Sequence, residues 1–152
     1  MPLPHTAILR AISLRKNRSR VPTRLTPLRD IKRAVVLIDP AARDAIGVKT
    51  VISGFFAKMN IPVEMITPNR SNLNWLGFLK RKKRDEDLFI SLYSSNRFEA
   101  KYEAKCSKAS MKIGRYRIKK DVFDIIVSDT GGNVSSQTDV FNTIKEILIR
   151  ID

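Results

Sequence analysis

Residues 34–38 read AVVLI and give the clearest strand signal in the chain. Every side chain in this stretch is apolar, and three of the five are β-branched. A strand that is apolar at every position, rather than at alternate ones, is typical of a parallel sheet covered on both faces. The pair Asp39-Pro40 ends the strand, because proline has no N–H to donate to a neighbouring strand. The chain is therefore expected to fold as an α/β protein.

A helix and a second strand follow this first strand. Residues 43–59 carry apolar side chains at helical spacing, which predicts a helix with Ile46, Val51 and Phe55 facing inward and Ile52 as a further candidate for that face. Residues 61–66, which read IPVEMI, predict the second strand. A strand, a helix and a strand in this order form a βαβ unit, in which the two strands run parallel.

The rest of the chain continues the alternation of strands and helices. Apolar runs predict three further strands, at residues 87–93, 111–114 and 123–127. Helical spacing predicts two further helices, at residues 97–108 and 138–149. Together these elements predict a single three-layer, Rossmann-like α/β domain over residues 33–152, with a mostly parallel sheet of about five strands.

Positive charge is concentrated at the start of the sequence. The chain has a formal net charge of +14, and residues 1–33 hold nine Lys and Arg residues against one acid, Asp30. Several prolines interrupt this region, so we predict a basic arm, residues 1–32, in front of the domain. Polyanions are the natural partners of such an arm. The arm cations expected to contact phosphates are Arg10, Arg15, Lys16, Arg18, Arg20 and Arg24.

A second group of cations lies between the second and third predicted strands. Residues 80–84, the basic run, place five cations in succession: Lys80, Arg81, Lys82, Lys83 and Arg84. Closely spaced cations displace counterions from nucleic acid, which predicts phosphate contacts here, while a solvated loop is the alternative. Arg115 and Arg117 either extend the same nucleic-acid surface or belong to an ordinary exposed edge of the sheet.

Polar residues also follow two of the predicted strands. Asp39 comes after the first strand, and Ser94 and Ser95 come after the third. In open α/β sheets, ligands bind beyond the carboxyl ends of the strands, so these residues predict a small-ligand crevice. The alternative is that they only cap the helices that follow them.

Several classes of chemistry lack the residues that they require. One histidine, His5, and one cysteine, Cys106, are too few for a usual zinc site or a Ser-His-Asp triad. Residues 129–131 (DTG) match the aspartic-protease triplet, but that chemistry needs a second carboxylate sharing the proton, usually from β-rich lobes. No apolar run is long enough for a membrane span, and a single cysteine suits a reducing compartment. We therefore expect no catalytic residues, no metal and no cofactor.

The chain resembles a family of small bacterial proteins of unknown function. The resemblance rests on the basic arm, residues 35–39 (VVLID), the pair Asn74-Trp75, residues 87–93 (DLFISLY) and Met111–Gly114 (MKIG). It implies a bacterial cytoplasmic protein. A start that is acid-free and contains arginine and serine is also typical of a mitochondrial presequence, which makes the mitochondrial matrix the alternative.

A weaker resemblance covers residues 87–114 alone. A strand, a polar cap, a basic helix and then Lys112-Ile113-Gly114 are similar to part of the N-terminal half of heptosyltransferase-type glycosyltransferases. This similarity implies a lone or degenerate Rossmann-like domain that binds a nucleotide or sugar phosphate.

The leading hypothesis from the sequence is a non-enzymatic RNA-binding protein, ribosomal or ribosome-associated. The basic arm and the basic run would neutralise phosphates, and the α/β domain would fix their geometry. The glycosyltransferase-type domain is the competing hypothesis. An anionic membrane surface is the third partner that an arm of this charge fits.

Overall fold

The computed structural model describes residue 19 and residues 24–67, 84–95, 97–118, 122–129 and 134–152. A 3₁₀ turn at Leu28–Asp30 precedes the sheet and helices. The strands are β1 (Ala34–Leu37), β2 (Val63–Ile66), β3 (Leu88–Ser91), β4 (Met111–Gly114) and β5 (Ile125–Ile126). The helices are α1 (Ala45–Lys58), α2 (Phe98–Cys106) and α3 (Gln137–Ile151).

The five strands form one parallel sheet in the order β2-β1-β3-β4-β5. Ala34 of β1 is in register with Val63 of β2 on one side and with Leu88 of β3 on the other. The next strand in sequence, β3, lies on the other side of β1 from β2. The boundary between β1 and β3 is thus the point where the strand order reverses, and it is where open α/β sheets form ligand crevices.

Helices cover both faces of this sheet. Val36 of β1 belongs to an apolar cluster that includes Phe56 of α1 and Phe141 of α3, whose ring centroids are 6.1 Å apart. The next residue, Leu37, belongs to the opposite cluster, which includes Ala104 of α2. Alternate side chains of one strand therefore enter two different cores, and all four residues of β1 are buried. The predicted three-layer, Rossmann-like α/β fold is confirmed.

The inward face of α1 differs from the predicted one. Ile46 was expected to face inward, and that prediction is wrong, because its side chain is 84% exposed. The buried positions are Val48, Ile52, Phe55 and Phe56, which repeat at the spacing of one helical stripe. Ile46 precedes Val48 by two residues, about 200° around the helix, so the same stripe leaves it in solvent.

The part of the predicted arm that the structure describes lies against the domain. Leu28 and Ile31 are buried in the core that α1 and α3 share with the sheet. The backbone N–H of Arg24 donates to the carbonyl of Ser110, 2.6 Å away, just before β4. Residues 24–32 therefore add apolar and hydrogen-bonded contacts to the α/β domain.

Candidate functional site

A crevice opens beyond the carboxyl ends of β1 and β3, at the reversal point of the sheet. Its volume is about 430 Å³. Asp39 and Ser94, which the sequence predicted to flank such a crevice, both line it. Ser95 is exposed next to Ser94 and is not part of the lining. The structure adds residues that the sequence did not single out for this site: Arg43, Asp44, Ser135 and Gln137.

Asp39 is fixed by the side chain of Gln137, the first residue of α3. The backbone N–H of Asp39 donates to Gln137 Oε1 over 2.9 Å, and Gln137 Nε2 donates back to the carbonyl of Asp39 over 3.2 Å. One carboxylate oxygen of Asp39 accepts the backbone N–H of Ala41 over 3.0 Å. The backbone and the turn are thus held, while the half-buried carboxylate still faces the crevice.

The carboxylate of Asp44, the residue before α1, lies at the N-terminus of α3. The backbone N–H and the hydroxyl of Thr138 each donate to Asp44 Oδ2 over 2.8 Å. Burial alone would raise the pKa of Asp44, but these two hydrogen bonds from Thr138 outweigh it and hold the pKa below its ordinary value. Ser136 caps the same helix by accepting the N–H of Asp139 over 3.1 Å. The orphan donors at this helix end are therefore largely satisfied from within the chain.

Arg115 forms the inner wall of the crevice. The sequence associated it with an exposed basic stretch, but its side chain is only 3% exposed. Its Nη2 donates to Asp129 Oδ1 over 2.8 Å and to the carbonyl of Ser135 over 2.9 Å, and its Nη1 donates to the carbonyl of Leu92 over 3.0 Å. These hydrogen bonds compensate the burial of the guanidinium. They also connect the end of β3 to the segment before α3.

Asp129 is the carboxylate partner of Arg115. Besides the guanidinium, its Oδ1 accepts the backbone N–H of Ser135 over 3.1 Å. Burial would raise the pKa of Asp129, but the Arg115 hydrogen bond and the Ser135 N–H together keep it below the ordinary value. Asp129 therefore stays ionised and supports the crevice wall. The aspartic-protease chemistry suggested by its triplet needs a shared proton instead.

Tyr93 lies directly after Leu92 and is almost fully buried, 3% exposed. Burial, together with the negative charges of Asp39 and Glu99, raises the pKa of Tyr93 to about 12. The phenol therefore stays protonated and uncharged at neutral pH. At this end of the molecule, the pKa shifts of Asp44 and Asp129 favour their charged forms and that of Tyr93 favours its neutral form.

The predicted nucleic-acid contacts are only partly within the described residues. Arg24 and Arg117 are exposed. Arg84 is mostly buried, with a 13% exposed side chain, and its Nη1 donates to Glu103 Oε2 of α2 over 3.0 Å, with Glu64 of β2 3.9 Å away. The predicted contacts outside the described residues are Arg10, Arg15, Lys16, Arg18, Arg20, Lys80, Arg81, Lys82 and Lys83.

Two described residues connect the basic segments to the same helix. The backbone N–H of Ser19, a residue of the basic arm, donates to the carbonyl of Lys105 in α2 over 2.9 Å. Arg84, the last residue of the basic run, pairs with Glu103, two positions earlier in the same helix. Sequence reasoning missed this meeting point, because nothing in the spacing relates residue 19 to residue 84.

A comparison with known protein families places the chain. The model of a family of unknown function, DUF6913, matches residues 12–147. The chain belongs to the DUF6913 family. The match spans most of the basic arm, the basic run and the crevice of this DUF6913 protein, so all three lie within the region that defines the family.

No curated protein and no solved structure matches this DUF6913 protein. These comparisons therefore give no support to the resemblance of residues 87–114 to heptosyltransferase-type enzymes. Within the described ranges no group of His, Cys, Asp and Glu side chains is arranged to hold a metal ion. None of the helices that the structure describes is both long and apolar enough to cross a membrane.

Proposed function

We propose that this DUF6913 protein binds RNA, as a ribosomal or ribosome-associated component of the bacterial cytoplasm. The observation that carries the proposal is the pair of contacts on α2, Ser19 to Lys105 and Arg84 to Glu103. They tether the basic arm and the basic run to one end of one helix. Two cationic segments that start from the same place serve as one electrostatic surface for a polyanion.

The distribution of charge over the chain supports this proposal. The described residues contain 17 Lys and Arg against 14 Asp and Glu, so they are close to neutral. Residues 1–23 and residues 68–83 hold five cations each and no acid. Most of the +14 surplus therefore belongs to residues 1–23 and 68–83. Such a division suits a compact domain that positions cationic segments on phosphates.

One acid beside the tethers, Glu103, forms an ion pair with Arg84 over 3.0 Å. The positive charge of Arg84 therefore offsets the negative charge of Glu103, which reduces the repulsion of a phosphate backbone by that carboxylate. The exposed side chain of Lys108, which follows the helix, adds a further cation there.

The salt dependence of RNA binding tests the proposal. Fluorescence anisotropy with a labelled single-stranded RNA should show the affinity falling by on the order of 10³-fold between 50 and 200 mM salt, because cations that neutralise phosphates release counterions. The triple variant Lys80→Gln, Arg81→Gln, Lys82→Gln should bind more weakly and with a slope that is smaller by about 2.

The control variant removes the same charge elsewhere. Lys49, Lys58 and Arg150 are exposed on α1 and α3, across the sheet from α2. Changing these three residues to Gln should leave the salt slope nearly unchanged. Equal losses in the two triple variants, or binding to phosphatidylserine vesicles without binding to RNA, would overturn the proposal.

A further inference from the structure

We infer that the crevice between β1 and β3 binds a small phosphorylated polyol, the chemistry that sugar phosphates and nucleoside monophosphates share. The crevice lies at the reversal point of the sheet, where this architecture gathers loop residues from both sides. Its volume of about 430 Å³ falls within the range of small-molecule sites. The inference is independent of RNA binding, because α2 and its tethers contribute no lining residue.

An ion pair and a set of hydrogen bonds within the chain hold two charged residues of the crevice wall in place. Both terminal nitrogens of Arg115 donate hydrogen bonds, to Asp129 and to two backbone carbonyls. Asp44 is bound by Thr138 at the start of α3. Arg115 and Asp44 therefore support the wall of the crevice. A ligand can bind without breaking their hydrogen bonds. A site whose walls are fixed in this way is preorganised, which reduces the entropy that binding costs.

Asp39, Arg43 and Ser94 place polar side chains at the crevice where a ligand can meet them. Asp39 and Arg43 lie four residues apart, and neither forms an ion pair with any of the residues that the structure describes. Ser94 presents an exposed hydroxyl on the opposite strand end. Among the described residues, the crevice thus offers a carboxylate and a guanidinium outside any ion pair, together with one exposed hydroxyl.

This combination fits a ligand with hydroxyl groups at one end and a phosphate at the other. A carboxylate is only an acceptor, so Asp39 suits vicinal hydroxyls, which donate to it. A guanidinium fork suits the oxygens of a phosphate, and the exposed Arg43 can reach an anion at the mouth of the crevice. Val134 also lines the crevice and is 72% exposed, so it offers an apolar contact to a sugar ring or a base.

Isothermal titration of the full chain tests this inference, with ribose 5-phosphate, AMP, adenosine and inorganic phosphate as probes. The two phosphorylated polyols should bind saturably and more tightly than inorganic phosphate or adenosine. Asp39→Asn keeps an acceptor for the N–H of Ala41 but removes the charge, and Arg43→Gln removes the cation. Each variant should weaken binding by about tenfold or more, the effect of one charge-assisted hydrogen bond.

The exposed residue Lys49 lies on α1, the helix that follows Arg43, and provides the matched control. Lys49→Gln should leave the affinity unchanged, and so should the triple variant of the basic run, which separates this site from RNA binding. Tighter binding of AMP would support a nucleotide ligand, and tighter binding of ribose 5-phosphate would support a sugar phosphate. Equal affinity for inorganic phosphate, an equal loss in Lys49→Gln, or no saturable binding would overturn the inference.

Discussion

The crevice and the tethers on α2 differ in how their charged groups are arranged. At the crevice, Arg115 and Asp44 are matched by partners within 3 Å, and the lining contains both signs of charge. At α2, Ser19 and Arg84 tether the basic arm, in which Asp30 is the one acid, and the basic run, which has no acid. The first arrangement favours short-range recognition of one small molecule. The second favours long-range attraction to a polymer, which salt weakens.

The largest expected effect is on the crevice end, through Arg115. Arg115→Met would leave Asp129 and two carbonyls without their donor, while keeping the apolar stem. We expect a loss of about 2–3 kcal/mol in the free energy of unfolding, below the ~3–5 of a fully buried pair because Asp129 is 26% exposed. Urea denaturation measures this loss.

Arg150→Met is the matched control for this substitution. Arg150 is exposed near the end of α3, so the same change there should cost less than about 0.5 kcal/mol. Similar losses in the two variants would show that the guanidinium network does not support the crevice end. In that case the crevice would not be held in place by the hydrogen bonds of Arg115, and it would not differ from the α2 end in this respect.

A smaller effect should appear on acidification. Asp44 has a pKa below its ordinary value in the folded chain, so its contribution is present above the unfolded pKa of about 3.9 and is lost as the pH falls through the folded value. Asp44→Asn keeps an oxygen acceptor for Thr138 but has no charge. The difference in unfolding free energy between the parent and this variant should therefore be largest near neutral pH and shrink below about pH 4.

Thr138→Val offers a graded version of the same test, because it removes one of the two donors to Asp44 and keeps the other. Its pH-dependent loss should have the same sign as that of Asp44→Asn and a smaller size. A difference from the parent that stays constant between pH 7 and pH 3 would contradict the role assigned to Asp44.

The strands and helices were largely predictable because their signals are local. Residues 34–38 are apolar at every position, and the structure places β1 inside the sheet, between β2 and β3, with all four of its residues buried. The position of Asp39 and Ser94 at one crevice also followed from the sequence, since parallel strands bring their carboxyl ends to one edge. Element ends were less accurate: the predicted strand 123–127 is reduced to Ile125–Ile126, which pairs with β4 alone.

Long-range pairing of side chains could not be predicted. Arg115 lies in a basic stretch, which favours the surface, yet Asp129 and two carbonyls compensate its burial. Arg84 ends a run of cations, yet it is held by Glu103 and Glu64. In both cases the partners are 14 or more residues away in sequence, so composition and spacing carry no signal of the contact.

The most direct test of the RNA-binding account is a titration of the ¹⁵N-labelled chain with a short single-stranded RNA, followed by amide NMR shifts. The account predicts that amides around the tethers, such as Arg84, Lys105 and Lys108, shift in a salt-sensitive manner, while Ser94 and Gln137 at the crevice do not. Shifts confined to the crevice, or no shifts at any RNA concentration at low salt, would contradict it.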